Sequence, residues 1–376
     1  MKNKRVWNVL FVLFLCVAWF AIGWVANARF SSPETAIIKS VYHQVQNESI
    51  FNDLTAAELS YAAIRGMLRD INDPFAEFIE PEAAQDLIDA FTGNTGVVGL
   101  YAENVDEKVV VLEVYPDGPA DLAGVEPGDV ILSIDEVVLD KDSDSSETGL
   151  LIRGAPDTSV VLDLLRDGET FDITIIRQQK RFASSRLLPG RIGYIYLNGF
   201  NETATQEMEE ALRTVLEEEP IGLLLDLRNN EGGDMDSAQD ILSFFIGDGL
   251  LFSAELTQGR TVEFFAEGNP VAADIPIVVL MDNSTYSAGE TFAAAIAELG
   301  RGTTIGSNSY GKGLIQASIP MADGTILQMT VAKWYSSNGE WYQDRGVPPQ
   351  IEIYDDPATE EDELVQKGIE LLLAAP

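Results

Sequence analysis

Serine and lysine are the residues from which this sequence could build a covalent mechanism, because the usual activators of a nucleophile are almost absent. Its 376 residues include one Cys, Cys16, and one His, His43. A single Cys excludes an intramolecular disulfide, and with one His there are too few ligands for a thiolate or His-rich zinc site. A catalytic Ser would therefore need a proton acceptor other than imidazole.

A cluster of hydroxyl residues follows the apolar run 275–281 and precedes an Ala-rich helical segment. It contains Ser284, Thr285 and Ser287. A Ser between a buried strand and a helix start lies beside unpaired backbone N–H groups and the positive end of the helix dipole. That position suits a nucleophile next to an oxyanion pocket. Helix capping is the competing interpretation, and position alone does not separate the three hydroxyls.

Lys312 lies between Gly311 and Gly313, and Gln316 follows four residues later. The glycines allow another backbone to approach closely. A Lys enclosed among apolar side chains loses its proton more easily, because burial lowers the pKa of an ammonium group. Lys312 could then be the general base and Gln316 could hold its amine. The backbone must turn for the two to touch, since positions four apart in a regular strand lie about 13 Å from each other.

The segment from Gly306 to Lys312 also resembles a phosphate-binding P-loop. A P-loop requires Ser or Thr after the Lys to bind magnesium, but Gly313 occupies that position, and strand-like sequence follows where a long helix is needed. We therefore expect no nucleotide and no other cofactor.

Paired glycines, Gly232 and Gly233, follow the apolar run 221–227. Glycines at a strand end leave backbone N–H groups accessible to an anion. Asp226 and Arg228 in the same segment could act electrostatically on a substrate, but a structural ion pair between them is the favoured interpretation.

The elements that must position these residues belong to a folded chain of several domains. Hydrophobic residues make up 46% of the chain and charged residues 23%, which excludes a largely disordered protein. The length corresponds to two or three domains. Acidic residues outnumber basic ones 61 to 24, for a formal net charge of −37. Nucleic acid is therefore not expected as a partner.

The N-terminus predicts a membrane anchor. Residues 9–26 carry no charge, and a helix of this length covers about 27 Å, close to the thickness of a hydrocarbon core. Lys2, Lys4 and Arg5 precede it, which predicts a cytoplasmic N-terminus and an exported remainder. A cleavable signal peptide ending near Ala28 is the alternative. The first interpretation gives a single-pass protein of the cell membrane, and the second a secreted protein.

The segment after the anchor is predicted to be helical. Apolar residues recur at helical spacing in 35–46 and 55–70, Pro74 ends the second helix, and Pro81 opens a third. His43 lies in the first helix and is predicted to be a structural or surface residue.

Short strands and turns follow, from about residue 93 to 180. About five strands with one or two small helices predict a compact, partly open β-barrel. The acidic loop 140–144 is similar to a calcium loop, but Ser145 and Leu151 stand where the EF-hand pattern requires Gly and Glu. We predict a solvated loop without calcium.

Strands and helices alternate from about residue 191. The predicted strands are 192–197, 221–227 and 275–281, and the predicted helices are 203–217, 235–246 and 288–299. This order predicts an α/β fold with a mainly parallel sheet covered by helices. Ligands of such sheets bind beyond the carboxyl ends of the strands, which directs attention to the loops after residues 227 and 281.

Taken in this order, the segments resemble the C-terminal processing peptidases, also called tail-specific serine proteases, from about residue 33 to 353. The motifs that carry the resemblance are Asp73-Pro74-Phe75, Asp117-Gly118-Pro119-Ala120, Gly124-Val125, Pro127-Gly128-Asp129, Ile152-Arg153-Gly154, Asp226-Leu227-Arg228-Asn229-Asn230-x-Gly232-Gly233, Ser287-Ala288-x-Glu290, Gly311-Lys312-Gly313-x-x-Gln316, Asp323-Gly324-Thr325 and Gly346-Val347-x-Pro349. Together with the predicted anchor (1–30), the resemblance divides the chain into a helical region (31–92), a PDZ domain (93–180) and an α/β serine peptidase core (181–376).

The resemblance implies a Ser/Lys dyad. Ser287 would attack the peptide carbonyl, Lys312 would take and return its proton, and Gln316 would orient Lys312. The chain departs from the family at Tyr286 and Gly289, beside the nucleophile, and at Ser309-Tyr310, where Thr-Phe is usual. These departures bear on substrate preference and on the packing around the Lys.

The resemblance also implies the binding groups. Oxyanion donors map to the backbone N–H of Ala288 and of Gly232 or Gly233. The PDZ domain would capture a substrate's C-terminal tail by adding it as a strand. Its peptide-binding residues are Gly96, Val97, Val98, Gly99 and Leu100.

Two functions from different classes are thus predicted. The first is an exported, membrane-anchored serine endopeptidase that cuts proteins or peptides near their C-termini. The second is a catalytically silent PDZ scaffold that binds tails without cutting them. The presence of Ser287, Lys312 and Gln316 together favours the enzyme. The expected partners are proteins with accessible C-terminal tails, the membrane through the N-terminal helix, and a second copy of the chain through residues 33–90.

Overall fold

The computed structural model describes residues 32–375, apart from 116–117, 141–142, 144, 269, 355–360 and the side chains of 145–147. The chain divides into two compact units, residues 1–78 and 79–376. The membrane span predicted for residues 9–26 lies outside the described residues. Among the helices that are described, none is long and apolar enough to cross a membrane.

The described part of the first unit, from residue 32, is mainly helical, as predicted. Its elements are α1 (Pro33–Glu48), α2 (Ala56–Arg69) and the start of β1 (Glu77–Ile79), which crosses the unit boundary. Thr55 caps α2: its hydroxyl accepts the N–H of Glu58 (3.3 Å), and the Glu58 carboxylate accepts the N–H of Thr55 (2.7 Å). His43 lies exposed on α1, which confirms it as a surface residue.

The second unit begins with a helix and a small β-domain. Its elements are α3 (Pro81–Thr92), β2 (Gly96–Val97), β3 (Leu100–Val105), β4 (Lys108–Val114), α4 (Pro119–Ala123), β5 (Val130–Ile134), β6 (Val137–Val138), α5 (Ser145–Ile152), β7 (Ser159–Arg166), β8 (Glu169–Ile176) and β9 (Gln178–Gln179). An antiparallel sheet runs in the order β3-β4-β5-β7-β8, with β6 beside β5. Val111, Leu162 and Ile175 pack in its core. β3 lies at one edge of this sheet and contacts α5.

The remainder of the second unit carries two sheets. Its elements are β10 (Ala183–Leu188), β11 (Ile192–Leu197), α6 (Glu202–Glu217), β12 (Gly222–Asp226), α7 (Met235–Ser243), β13 (Leu250–Leu256), β14 (Thr261–Phe265), β15 (Ile277–Met281), α8 (Ala288–Glu298), β16 (Thr303–Gly306), β17 (Leu314–Pro320), β18 (Ile326–Ser336), β19 (Ile351–Glu352) and α9 (Glu363–Ala374). Because β17 follows Gly313 directly, the chain lacks the helix that a P-loop requires at that point.

The larger sheet has the order β10-β11-β12-β15-β16-β19. Only its first pair is antiparallel, which confirms the mainly parallel sheet predicted from the alternation. Leu223 and Leu225 face the core shared with α6, α7 and α8, whereas Leu224 packs against α9. A strand buried on both faces needs a continuous apolar run, so the run at 221–227 reflects the three-layer arrangement.

A second, antiparallel sheet was not predicted from the sequence. Its strand β18 pairs with both β13 and β17, and β14 extends it beyond β13. Ala254 of β13 lies opposite Trp334 of β18, so the pairing joins residues far apart in the chain. Trp334 is fully buried against the α/β core.

Candidate active site

Ser287 lies in the turn between β15 and α8, at the carboxyl edge of the parallel sheet. Its backbone has φ 57° and ψ −119°, in a region that side chains with a Cβ rarely adopt and that recurs at strained nucleophile turns. Its side chain is partly accessible. The hydroxyl of Thr285, in contrast, is fully buried and donates to the carbonyl of Leu227 (2.8 Å). Thr285 is therefore structural.

Asn230 connects this turn to neighbouring elements through three hydrogen bonds. Its carbonyl accepts the N–H of Tyr286 (3.1 Å), its Nδ2 donates to the carbonyl of Leu197 (2.7 Å), and its Oδ1 accepts the N–H of Gly232 (2.9 Å). A Cβ on Gly289 would lie 2.9 Å from Asn230 Oδ1. Glycine at position 289 thus leaves room for the Asn230 side-chain amide. No role for Asn230 was predicted from the sequence.

Two of the predicted oxyanion residues, Gly232 and Ala288, lie beside Ser287. A Cβ on Gly232, which has φ +77°, would lie 2.8 Å from Ser287 Cβ and 3.1 Å from the backbone nitrogen of Ala288. Gly233 packs against Phe200, where an added Cβ would overlap the Phe200 carbonyl. Glycine is required at both positions because neighbouring backbone atoms approach too closely to leave room for a Cβ.

Lys312 lies in the loop between β16 and β17. A Cβ on Gly313 would lie 2.5 Å from Trp341 Nε1, and Gly311 has φ +96°. Trp334 Nε1 donates to the carbonyl of Lys312 (2.7 Å). Gly313 therefore allows the loop to pack tightly against Trp341, and Gly311 allows it to approach the backbone of residues 344–346, as the Gly-Lys-Gly pattern predicts.

The Lys312 amine lies 5.5 Å from the centre of the Tyr286 ring, beside the residue that precedes the nucleophile. Burial lowers the pKa of Lys312, and the nearby Glu290 carboxylate partly opposes that effect. A lowered pKa is the direction that a lysine general base requires.

Gln316 lies on β17, where a β-bulge interrupts the register with β18 between Ile315 and Gln316. A bulge re-aims the side chain that follows it. Gln316 Nε2 donates to Thr330 Oγ1 (3.4 Å).

Glu290 joins the two reactive loops, and we had predicted no role for it. Its Oε2 accepts the N–H of Ser287 (2.9 Å) and of Lys312 (2.8 Å). Its Oε1 accepts the N–H of Gly311 (2.7 Å) and the hydroxyl of Ser309 (2.5 Å). Glu290 is 0% exposed; burial raises its pKa, and these donors partly oppose the rise. The sequence signals are its place in the Ser287-Ala288-x-Glu290 motif and its spacing from Ser287, which fits a helix capping box.

Asp226 and Arg228 form the structural ion pair that we favoured from the sequence. Arg228 Nη2 lies 2.6 Å from Asp226 Oδ2 and 2.8 Å from Asp362 Oδ2. Asp226 is buried at the end of β12. The pair therefore fastens the strand end to the residue that caps α9.

The predicted peptide-binding loop 96–100 lies at the start of the small β-domain. Gly96 pairs with Gly154, and the carbonyl of the buried Val98 accepts the N–H of Ala120 in α4 (2.8 Å). Gly99 has φ +76° and turns the chain into β3. The loop thus leads directly into the edge strand.

Comparison with known proteins assigns the chain to a family. Residues 191–353 match Peptidase family S41 and residues 96–176 match the PDZ domain. The chain is 30% identical over 325 residues to the carboxy-terminal processing protease CtpB of Bacillus subtilis (strain 168), covering 84% of this chain and 67% of that protein. It is 32% identical over 314 residues to the chloroplastic C-terminal processing peptidase of Tetradesmus obliquus, covering 78% and 68%.

A solved structure, that of the photosystem II D1 C-terminal processing protease, matches with a TM-score of 0.58 at 28% identity, over 90% of this chain and 91% of that one. The chain therefore belongs to peptidase family S41 and is a serine endopeptidase of the carboxy-terminal processing type. It spans about two thirds of the length of the two sequence relatives.

Proposed function

We propose that Ser287 and Lys312 form the dyad that hydrolyses the peptide bond. Ser287 Oγ attacks the carbonyl carbon while the neutral Lys312 amine takes its proton, and Lys312 then delivers the proton to the leaving amine. Water hydrolyses the resulting ester by the same route. The observation that carries this proposal is the shared Glu290 carboxylate, which binds the backbone N–H of both residues. Gln316 donates through Nε2 to Thr330, so its Oε1 is the atom that can accept from the Lys312 amine.

The oxyanion that forms on the substrate would be bound by backbone N–H groups. Ala288 supplies one from the first position of α8. The N–H of Gly232 already donates to Asn230, which supports Gly233 as the second donor.

We expect kcat/KM to rise with pH and to level off below the pH at which an ordinary lysine, with a pKa of about 10.4, loses its proton. The active form holds a neutral Lys312, and burial lowers the pKa of this amine. Initial rates on a synthetic peptide between pH 6 and about 10.5 measure the profile. The Lys367→Ala variant, altered on the exposed face of α9, should give the same profile. A profile without pH dependence would contradict Lys312 as the base.

Recognition of substrate tails would use the edge strand β3. The tail would add alongside β3 next to α5, with its carboxylate at the loop 96–100. We expect a fluorescent peptide with a free C-terminus to bind the Ser287→Ala variant at least about tenfold more tightly than its C-terminal amide, because charge-assisted hydrogen bonds are lost in the amide. Fluorescence anisotropy measures both affinities. Equal affinities would refute carboxylate recognition, and tail binding by a wild-type chain that never cuts would support the silent scaffold.

Export and membrane anchoring are supported by the uncharged residues 9–26 and the basic residues before them. The full chain should fractionate with membranes, and its peptidase part should be digested by protease added outside the cell. Recovery of the chain in the cytosolic fraction would overturn this assignment.

A second copy of the chain is the partner that we propose for the first unit. Ile50 and Phe51, between α1 and α2, are 87% and 88% exposed, and Ile37, Ile38 and Val41 on α1 are exposed as well. Sedimentation of the full chain should show a dimer that the Phe51→Ser variant weakens. A monomer at all concentrations would reject the proposal.

A further inference from the structure

Two tyrosines stand beside the dyad, one on each reactive loop. Tyr286 directly precedes Ser287, and Tyr310 lies two residues before Lys312. Their ring centres are 5.6 Å apart and their planes are tilted by 52°. The contact places an aromatic pair where the nucleophile turn and the lysine loop meet.

The backbone on which the two rings are mounted is fixed. The N–H of Tyr286 donates to Asn230 (3.1 Å), and the N–H of Tyr310 donates to the carbonyl of Thr285 (3.0 Å). Ser309, next to Tyr310, is buried and bonded to Glu290. The rings are therefore carried by the same rigid loops that position Ser287 and Lys312.

The Tyr310 ring offers apolar surface that the fold does not use, next to the Tyr286 ring, which also faces the Lys312 amine. Tyr310 is 61% exposed, although both of its neighbours, Ser309 and Gly311, are buried. Tyr286 is half-buried, and burial raises the pKa of its hydroxyl to about 12, so its ring carries no charge at neutral pH. An exposed aromatic on a rigid loop can bind an apolar side chain with little loss of conformational entropy.

We propose that Tyr286 and Tyr310 together form the subsite for a large apolar side chain of the substrate residue next to the scissile bond. The inference rests on the proposed dyad, because the scissile bond lies at Ser287 only if Ser287 is the nucleophile. Tyr286 is adjacent to Ser287 in sequence, and an extended substrate advances only about 3.3 Å per residue. A side chain flanking the bond at Ser287 would thus meet these rings. Uncharged rings select Leu, Met or Phe over Ala or a charged residue.

The test compares two synthetic peptides that share one C-terminal tail and differ only in Phe or Ala at the residue flanking the cut. Mass spectrometry of β-casein digested by the full-length enzyme identifies the cut sites from which the peptides are designed. We expect the ratio of kcat/KM for the Phe peptide over the Ala peptide to fall about tenfold in Tyr310→Ala, mainly through KM. Tyr310→Phe should restore the ratio. Tyr354→Ala, which alters another tyrosine that is 66% exposed, should leave it unchanged.

Labelling with a fluorophosphonate, which reports an activated serine without a peptide side chain, separates this inference from the proposed dyad. A wild-type enzyme that is labelled but treats the two peptides alike would overturn the subsite and leave the dyad standing. An unchanged ratio in Tyr310→Ala would also overturn the subsite. Loss of labelling in Tyr310→Ala would overturn the subsite as well, since Tyr310 would then support the structure of the lysine loop and not bind a substrate side chain. A wild-type chain that is neither labelled nor active would refute both.

Discussion

Replacing Ser287 by Ala is expected to lower kcat/KM at least about 10⁴-fold, and Lys312→Ala should have a loss of similar size. The two side chains act in one step, so the double variant should be little slower than either single variant. Single-turnover cleavage of a synthetic peptide measures the three losses, and mass spectrometry shows whether an acyl-enzyme accumulates.

Matched controls lie on the same chain. Ser284→Ala changes a half-buried serine in the same turn, whose N–H donates to the Asp282 carboxylate (3.0 Å), and Lys367→Ala changes a partly exposed lysine on α9. Both should keep wild-type rates. Cleavage by Ser287→Ala at the wild-type rate would show that another group is the nucleophile. Additive losses in the double variant would show that the two residues do not act together.

The Glu290→Gln substitution is expected to lower kcat/KM about 10²- to 10³-fold and to move the remaining activity to lower pH. A glutamine side chain has one acceptor oxygen where the carboxylate has two. Some of the four groups that donate to Glu290 would therefore lose their hydrogen-bond partner, and each buried donor left unpaired costs about 1–3 kcal/mol of free energy. Loss of the carboxylate charge, which favours the ammonium form of Lys312, lowers the pKa of Lys312 further. The neutral amine is then present at lower pH.

The readout is the pH profile of kcat/KM together with the urea midpoint. Glu298→Gln is the control in the same helix: Glu298 also accepts several hydrogen bonds, from Ser337, Asn338 and Tyr342, but none from the reactive loops. It should lower the urea midpoint without moving the profile. A Glu290→Gln profile that coincides with the wild-type profile would reduce Glu290 to a purely structural role.

The parallel sheet was predictable because each of its central strands is buried on two faces and is therefore apolar without interruption. The antiparallel sheet was not. The pairing of β13 with β18 joins Ala254 to Trp334, and no local periodicity encodes a partner so distant in the chain. α9, whose Leu364 and Leu372 cover the second face of the parallel sheet, was also missed, because the α/β alternation does not indicate which element covers that face.

At the site, the sequence was informative about residues that the chain must expose or bring close, such as Ser287 after a buried strand and Lys312 between glycines. It included Glu290 in the motif around Ser287 but did not indicate a role for it. That carboxylate gathers donors from the nucleophile turn and from the loop 309–312, and their convergence depends on how α8 packs against the loop. A capping-box spacing predicts the local hydrogen bond from the N–H of Ser287. It does not predict the three hydrogen bonds that Glu290 accepts from the loop 309–312.

The common attachment of both reactive loops to Glu290 has a consequence for protein engineering. Transplanting only the serine and the lysine into a new scaffold would leave the positions of their main chains uncoupled from each other. A successful graft would have to carry the helix start, the buried acid and the glycine-flanked loop as one indivisible module.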